Sequence, residues 1–214
     1  MPEYTTSAPR LSSRFEEALV YASQLHATQV RKGTSGTPYV AHLLGVASLV
    51  LEDGGDEDQA IAALLHDAVE DFPEDGQTRK DIGDRFGERV QRIVLACTDS
   101  DPDAPTGAAK ESWRSRKERY LRHLEHQPAE VLRVSVADKL YNATMILNEF
   151  RRIGPLVWNR FTAGRANQLW YYRSLVDVFR RAPSAPPQLV EQLDRMVSAL
   201  ERLDGKTEGR KDGK

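Results

Sequence analysis

The stretch Ala62-Ala-Leu-Leu-His66-Asp67-Ala-Val-Glu70-Asp71 decides the fold of this chain. It starts inside a segment that is apolar on most sides and then presents four ionisable side chains within six residues. On an α-helix, His66 lies one turn before Glu70, and Asp67 lies one turn before Asp71, so the four groups can line one cleft. Because a helix that is apolar on most sides is buried, the stretch predicts a central helix that carries an ionisable cleft.

Helical periodicity extends over most of the chain on both sides of this stretch. Apolar residues recur at spacings of three and four, which is typical of amphipathic helices. The pattern predicts helices over residues 14–26, 40–51, 59–69, 78–96, 110–125, 128–150 and 159–180, and a last helix after a break at residues 182–187. We find no convincing alternation of apolar and polar residues, so the predicted fold class is an all-α, single-domain helical bundle.

The composition of the chain argues against several classes of protein. The 214 residues carry 30 Lys and Arg against 32 Asp and Glu, for a formal net charge of −2. A dedicated nucleic-acid binder is usually strongly basic, and a polybasic membrane anchor also requires an excess of positive charge, so neither partner is expected. The single cysteine, Cys97, excludes an intrachain disulfide, and residues 1–10 lack an apolar leader. We therefore expect a cytoplasmic protein.

Composition also marks the predicted boundaries along the chain. Residues 1–13 are expected to be a flexible N-terminus, and residues 14–181 form the predicted helical domain. Prolines interrupt the pattern before a C-terminal helix, which is assigned to residues 182–203. Residues 204–214 contain no apolar side chain and are expected to be a disordered tail. The last helix could fold back on the domain or bind a partner.

Four polar side chains in apolar surroundings are candidates for a metal site. His66 and Asp67 belong to the opening stretch, His42 opens another apolar helix, and Asp138 lies inside the apolar helix predicted over residues 128–150. An unpaired carboxylate in such a helix is costly, so Asp138 requires a cationic partner. Two imidazoles and two carboxylates form a mixed nitrogen and oxygen set that suits Mn²⁺, Fe²⁺ or Zn²⁺.

These residues also have an explanation without a metal. Each histidine could be hydrogen-bonded in the core, and each aspartate could be capped or paired with a nearby Arg or Lys. That explanation serves for any one residue alone. The combination of an adjacent His-Asp pair, a second histidine and a distant aspartate favours one shared cation.

Three linked motifs resemble a known family. They are Arg31-Lys-Gly-Thr-Ser-Gly-Thr-Pro-Tyr-Val-Ala-His42, His66-Asp67-Ala-Val-Glu-Asp71 and Ala137-Asp-Lys-Leu-Tyr-Asn142. In order and spacing they resemble the HD-domain metal phosphohydrolases, and in detail the hydrolase domain of the RelA/SpoT family. The similarity covers roughly residues 15–179, so the chain looks like a stand-alone small alarmone hydrolase.

The resemblance implies a fold, an activity and a catalytic centre. The implied fold is an HD-domain helical bundle. The implied activity is Mn²⁺-dependent hydrolysis of the 3′-diphosphate of guanosine 3′,5′-bis(diphosphate), which leaves GDP or GTP plus pyrophosphate. The implied metal ligands are His42, His66, Asp67 and Asp138, and the implied catalytic acidic pair is Glu70 and Asp71. Such a pair can orient a water, take its proton or protonate the leaving group.

Four further residues are implied to bind the nucleotide. Arg31 and Lys32 match loop residues that contact it, and Asn142 matches a residue near the ribose. Arg165 stands near the position where small hydrolases of this family contact the far phosphates. Three other basic residues, Lys110, Arg114 and Lys117, could also face the cleft, although a solvated helix face is the expectation for them.

Two other functions stay open from the sequence. A phosphatase that removes the 2′-phosphate of NADPH, or another HD-superfamily nucleotide phosphohydrolase, would use the same centre on a different small nucleotide. A catalytically silent nucleotide sensor would bind without turnover, although the intact acidic pair argues against it. In each case the last helix is a candidate contact for a homo-oligomer.

Overall fold

The computed structural model of the protein describes residues 11–32, 36–73, 76–99 and 111–208, with side chains described as far as residue 205. Within these ranges the chain is helical and forms no strand beyond an isolated bridge between Val30 and Pro38. The predicted all-α class is confirmed. The expected flexible N-terminus falls mostly outside the described residues.

The helices are numbered in chain order. They are α1 (Ser13–Leu25), α2 (Val40–Glu52), α3 (Glu57–Leu65), α4 (Ala68–Asp71), α5 (Gln77–Phe86), α6 (Glu88–Cys97), α7 (Trp113–Leu124), α8 (Ala129–Ile153), a 3₁₀ helix (Gly154–Arg160), α9 (Gly164–Arg181) and α10 (Pro187–Glu208).

The longest helix, α8, is the axis around which the others pack. It has 25 residues, and its buried positions include Ala137, Asp138 and Leu140. Helices α2, α3, α6 and α10 pack against it. Helix α3 starts with a capping box between Asp56 and Gln59, which pairs backbone donors that the first turn leaves free. Asp138 of α8 and His66 at the end of α3 are both buried, so these two helices bring polar residues into the core.

The predicted helix over residues 59–69 is interrupted at its two ionisable residues. Helix α3 ends at Leu65 and α4 begins at Ala68, and Asp67 adopts φ −94° and ψ −8° between them. Among the described residues, no backbone hydrogen bond closes the turn between His66 and Glu70. The one-turn relation between Asp67 and Asp71 does hold, because the Asp71 amide donates to the Asp67 carbonyl at 2.9 Å.

The predicted helix over residues 78–96 is also two helices. Gly87 has φ +92° between α5 and α6, a backbone conformation that residues with a Cβ rarely adopt. The sequence pattern does not reveal the break, because Phe86 and Val90 on its two sides are both buried and lie four residues apart. In the same way, the predicted helix over residues 159–180 is a 3₁₀ helix followed by α9.

The C-terminal helix folds back on the domain and is longer than expected. Helix α10 packs on α8 and α9 and continues to Glu208 rather than ending at residue 203. The contacts of Asp204 explain the extension. Its side chain is buried, with 2% of the residue exposed. It accepts a hydrogen bond from the indole N–H of Trp158 at 2.9 Å and pairs with Arg165 Nε at 2.6 Å, so the helix is held to the domain beyond residue 203. Residues 209–214 lie outside the described residues, and the homo-oligomer through this helix stays a prediction.

Among the described residues, none of the helices has the length and hydropathy that a membrane-spanning segment requires.

Replacing Asp204 should destabilise the fold. We expect Asp204→Leu to lower the free energy of unfolding by about 2 kcal/mol, because Trp158 and Arg165 each lose a charge-assisted hydrogen bond. Urea unfolding followed by circular dichroism measures the change. Glu191→Gln on the same helix is the control, since its pair with Arg195 is exposed and is worth less than about 1 kcal/mol. An equally small change in both variants would show that Asp204 does not anchor the helix.

Candidate active site

Four side chains from separate parts of the chain meet beside the middle of α8. His42 Nε2 lies 3.3 Å from His66 Nε2, 3.4 Å from Asp67 Oδ2 and 3.3 Å from Asp138 Oδ1. His66 Nε2 lies 3.1 Å from Asp67 Oδ2 and 3.6 Å from Asp138 Oδ1. Three of the side chains are buried, and that of Asp67 is 23% exposed. The structure thus brings together all four residues that the sequence singles out.

These separations fit a shared cation. Donor atoms about 2.1 Å from one ion lie about 3.0 Å apart at a right angle and about 3.4 Å apart at the tetrahedral angle. The observed distances of 3.1 to 3.6 Å overlap that range, and the longest of them lies slightly above it. In addition, His42, His66 and Asp67 present donor atoms that all lie within 4.8 Å of one another. The donor set is therefore suited to a divalent cation in both chemistry and spacing.

Neighbouring groups orient the donor atoms. His66 Nδ1 lies 2.8 Å from the carbonyl oxygen of Ala63, and because a carbonyl only accepts, Nδ1 carries a proton and Nε2 is the ring nitrogen that faces the cluster. A bound cation would take the place of any proton on Nε2. Asp138 Oδ1 accepts from Asn142 Nδ2 at 2.6 Å, and its Oδ2 accepts from Lys139 Nζ at 2.6 Å. These contacts fix two donors from outside the cluster.

The electrostatics of the cluster favour positive charge. Burial acts to raise the pKa of Asp67, but the charge of His66 and hydrogen bonds from both histidines hold that pKa well below its usual value. Burial is likewise outweighed at Asp138, whose pKa is held low by the charge of Lys139 and by the same histidines. Burial acts to lower the pKa of His66, but Asp67 and Asp138 raise it well above its usual value. The carboxylates thus stay ionised and attract a cation.

A cleft of about 690 Å³ opens beside the cluster. Most of the predicted site residues line it, namely Arg31, Lys32, His42, Asp67, Glu70, Asp71, Asp138 and Asn142. His66 is 3% exposed and completes the cluster beneath the surface of the cleft.

One face of α8 runs along the cleft. Asp138, Asn142, Met145, Glu149 and Arg152 all line it, and their spacing of three or four residues places them on one side of the helix. At 1.5 Å per residue, the fourteen steps from Asp138 to Arg152 span about 21 Å along the helix axis. The cleft is therefore long enough for an extended ligand, with the donor cluster towards one end of this face.

Comparison with known proteins identifies the family. The family model described as HD domain matches residues 18–168, a range that contains all four donor residues. The chain belongs to the HD domain family.

Individual relatives agree with this assignment. The guanosine-3′,5′-bis(diphosphate) 3′-pyrophosphohydrolase MESH1 of Xenopus tropicalis is 37% identical over 145 residues, which cover 67% of this chain and 73% of that protein. The protein of the same name from Mus musculus is 31% identical over 182 residues, 84% of this chain and 90% of that protein. A solved structure of a metazoan ortholog of SpoT that hydrolyzes ppGpp matches with a TM-score of 0.67 and 28% identity, over 88% of this chain and 96% of that one.

The acidic pair of this HD domain lies on α4, one turn beyond the donor cluster. Burial and the negative charges of Asp99 and Asp67 raise the pKa of Glu70, against the opposing effect of Lys117 and Lys139. A carboxylate with a raised pKa is a stronger base than an ordinary one, which suits a group that accepts a proton near neutral pH.

The predicted nucleotide contacts occupy the wall next to α8. Arg31 donates from Nη2 to Asn142 Oδ1 at 2.8 Å, and its guanidinium carbon lies 5.5 Å from the ring centre of Tyr141. The Tyr141 ring also packs 5.2 Å from the His42 ring. A Cβ at Gly45 would lie 2.0 Å from the Tyr141 ring. The ring can occupy its position in the wall only because residue 45 has no side chain.

Arg165 is not among the residues that line the cleft. Its guanidinium pairs instead with Asp204 of α10, because the start of α9 packs on the C-terminal helix as well as on the 3₁₀ helix. The far end of the cleft holds a different pair of arginines. Arg152 and Arg160 both line it, and both contact Glu149, at 2.9 Å and 2.8 Å.

The expectation of a solvated face is wrong for Lys117. This lysine lines the cleft, pairs with Asp99 and lies 5.0 Å from the ring centre of Tyr171. The sequence does indicate that Lys117 faces inwards. It lies four residues after Trp113 and four before Leu121, and so belongs to the buried stripe of α7. Arg114 instead stacks on the Trp170 ring at 3.1 Å, and Lys110 lies outside the described residues.

Proposed function

We propose that this chain is a divalent-cation-dependent pyrophosphohydrolase that acts on guanosine 3′,5′-bis(diphosphate). The observation that carries the proposal is the cluster of His42, His66, Asp67 and Asp138, which opens onto a cleft with an acidic pair and several cations. The relatives named for this activity support it, since one of them is 37% identical and shares two thirds of the chain. A cytoplasmic location stays a prediction.

The four clustered side chains are the proposed metal ligands. Their mixed nitrogen and oxygen donors suit Mn²⁺, with Fe²⁺ or Zn²⁺ as alternatives. When bound, such a cation polarises a phosphoryl oxygen and lowers the pKa of a coordinated water. The carboxylates of Asp67 and Asp138 are ionised at neutral pH because their pKa values are held low. Binding therefore does not require their deprotonation at that pH.

Glu70 and Asp71 are the proposed acid and base groups. Hydrolysis adds the oxygen of water to the first phosphorus of the 3′-diphosphate, breaks the bond from that phosphorus to the 3′ oxygen, and returns a proton to this oxygen. Glu70, with its raised pKa, takes the proton of the attacking water, and Asp71 assists or protonates the leaving oxygen. The products are GDP and pyrophosphate.

The cations of the cleft are the proposed phosphate and nucleotide contacts. Arg31 offers a planar guanidinium that can stack on a purine or bind phosphate, and Lys32 and Lys117 offer point charges. Asn142, held between Arg31 and Asp138, is placed to contact the ribose next to the reacting phosphate.

Arg152 and Arg160 are the proposed contacts for the 5′-phosphates. Both arginines line the cleft, and Arg152 lies about four turns of α8 beyond Asp138 on the same face of the helix. Glu149 holds both guanidinium groups without neutralising both charges. A substrate with its 3′ end at the donor cluster would extend its 5′ end towards them.

A substrate panel tests the activity. Metal-stripped protein is incubated with guanosine 3′,5′-bis(diphosphate) or with NADPH, each with and without Mn²⁺, and the products are resolved by anion exchange. We expect Mn²⁺-dependent formation of GDP and pyrophosphate. Phosphate release from NADPH alone would move the assignment to a 2′-phosphatase, and binding of either nucleotide without products would indicate a sensor.

Substitutions in the acidic pair test the assigned roles. We expect Glu70→Gln and Asp71→Asn each to lower kcat at least about 100-fold, because a positioned acid or base contributes about 10²–10⁴ in rate. Both variants should keep the rise in Tm that Mn²⁺ causes in the wild type. His66→Ala is the matched contrast and should lose that rise. Normal turnover in both acidic-pair variants would remove them from the mechanism.

Arg160→Ala tests the far end of the cleft. We expect it to raise KM for guanosine 3′,5′-bis(diphosphate) about 10-fold, since a charge-assisted hydrogen bond contributes about 1.5–3 kcal/mol. Guanosine 3′-diphosphate, which has no 5′-phosphate, should show no change. Arg151→Ala is the control, because Arg151 is exposed and is not among the residues lining the cleft. An equal rise in KM for the two substrates would contradict the assignment.

A further inference from the structure

His26 is buried behind the acidic pair. It caps the C-terminus of α1, and its side chain is 0% exposed. The ring stacks on Tyr39 with 5.0 Å between ring centres and meets the edge of Phe72 at 5.1 Å. The imidazole is thus held on both sides and has one orientation.

Gln29 connects this histidine to the acidic pair. Its Oε1 atom lies 2.5 Å from His26 Nδ1, and its Nε2 atom donates to Asp71 Oδ2 at 2.7 Å. Because an amide oxygen only accepts, His26 carries its proton on Nδ1. A flipped amide would place its NH₂ against this N–H and its oxygen against the carboxylate. The carboxylate of Asp71 only accepts and so requires the NH₂ group of Gln29, and a proton on His26 Nδ1 stabilises the same orientation of the amide.

The backbone of the same loop is fixed at both ends. The Gln29 amide donates to the His26 carbonyl at 3.0 Å, and the Tyr39 amide donates to the Gln29 carbonyl at 2.9 Å. The Tyr39 hydroxyl then donates to Asp67 Oδ2 at 2.5 Å. One loop segment thus fixes an oxygen of a proposed metal ligand through Tyr39 and an oxygen of Asp71 through Gln29.

We propose that Gln29, oriented by His26, is a positioning residue that holds Asp71 for the hydrolytic step. Asp71 is partly exposed, with 29% of its side chain accessible, and without this contact the carboxylate could rotate into solvent. Groups that act on a proton lose rate steeply when their position is relaxed. The inference rests on the proposed function in one respect, namely that Asp71 acts in catalysis.

Gln29→Met tests the contact, because methionine keeps the length of the side chain and removes both amide groups. We expect kcat to fall about 10-fold with KM unchanged, and the Mn²⁺-dependent rise in Tm to be retained. Gln24→Met is the matched control, since Gln24 is an exposed residue of α1 and should leave both constants unchanged. An unchanged kcat in Gln29→Met would overturn the proposal.

A double-mutant cycle separates positioning from a general structural effect. If Gln29 acts through Asp71, Gln29→Met should cause no further loss of kcat in the Asp71→Asn background. His26→Phe should resemble Gln29→Met and be non-additive with it, because phenylalanine keeps the packing between Tyr39 and Phe72 but removes the Nδ1 donor. If His26→Phe fails to fold, the cycle of Gln29→Met with Asp71→Asn still tests whether Gln29 acts through Asp71.

Additive losses in the cycle with Asp71→Asn would overturn the proposal. Failure of the proposed function gives a different result, because wild-type protein would then release no pyrophosphate. Normal turnover of Asp71→Asn, with a loss in Glu70→Gln, would remove Asp71 from the mechanism and this inference with it, while leaving the reaction itself in place.

Discussion

The buried carboxylate of Asp138 is the constraint on which the rest of the structure depends. An ionised side chain in the middle of a core helix must be compensated, because desolvation of a charge costs several kcal/mol. Lys139 and Asn142 provide part of the compensation from α8 itself. The two histidines complete it, and they can do so only if α2 and the end of α3 pack against this part of α8. The packing of these three helices is therefore a condition for keeping this charge in the core.

A second layer of contacts turns this cluster into an ordered site. The loop between α1 and α2 contacts Asp67 through a phenol and Asp71 through an amide, and the ring of Tyr141 closes the wall beside His42 because Gly45 leaves it space. The phenol and the amide each donate to a carboxylate, and such charge-assisted hydrogen bonds are stronger than neutral ones. Together they leave the groups that face the cleft with few alternative positions, which is the condition for efficient proton transfer and phosphate binding.

The sequence predicts the central part of this arrangement better than its edges. His42, His66, Asp67 and Asp138 are recognisable because charged or polar groups in apolar helices need partners, and the structure brings them together. The apolar periodicity hides the breaks at His66 and Gly87, since apolar residues continue at helical spacing across them, and only the glycine itself marks the second break. Lys117 lines the cleft and Arg165 does not, which is the reverse of the expectation from the sequence. Which face of α7 or α9 meets the cleft depends on how these helices pack, and local periodicity does not contain that information.

The anchoring of α10 has a consequence for how the chain can be altered. Asp204 holds Trp158 in the 3₁₀ helix, and the neighbouring residues Val157, Arg160 and Phe161 form one wall of the cleft. The last turns of α10 therefore help to hold the wall of the cleft in place through the contact between Asp204 and Trp158. Trimming the chain before this aspartate would loosen that wall from a distance, whereas a fusion added beyond Glu208 would leave the anchor intact. The C-terminal segment is in this sense part of the cleft.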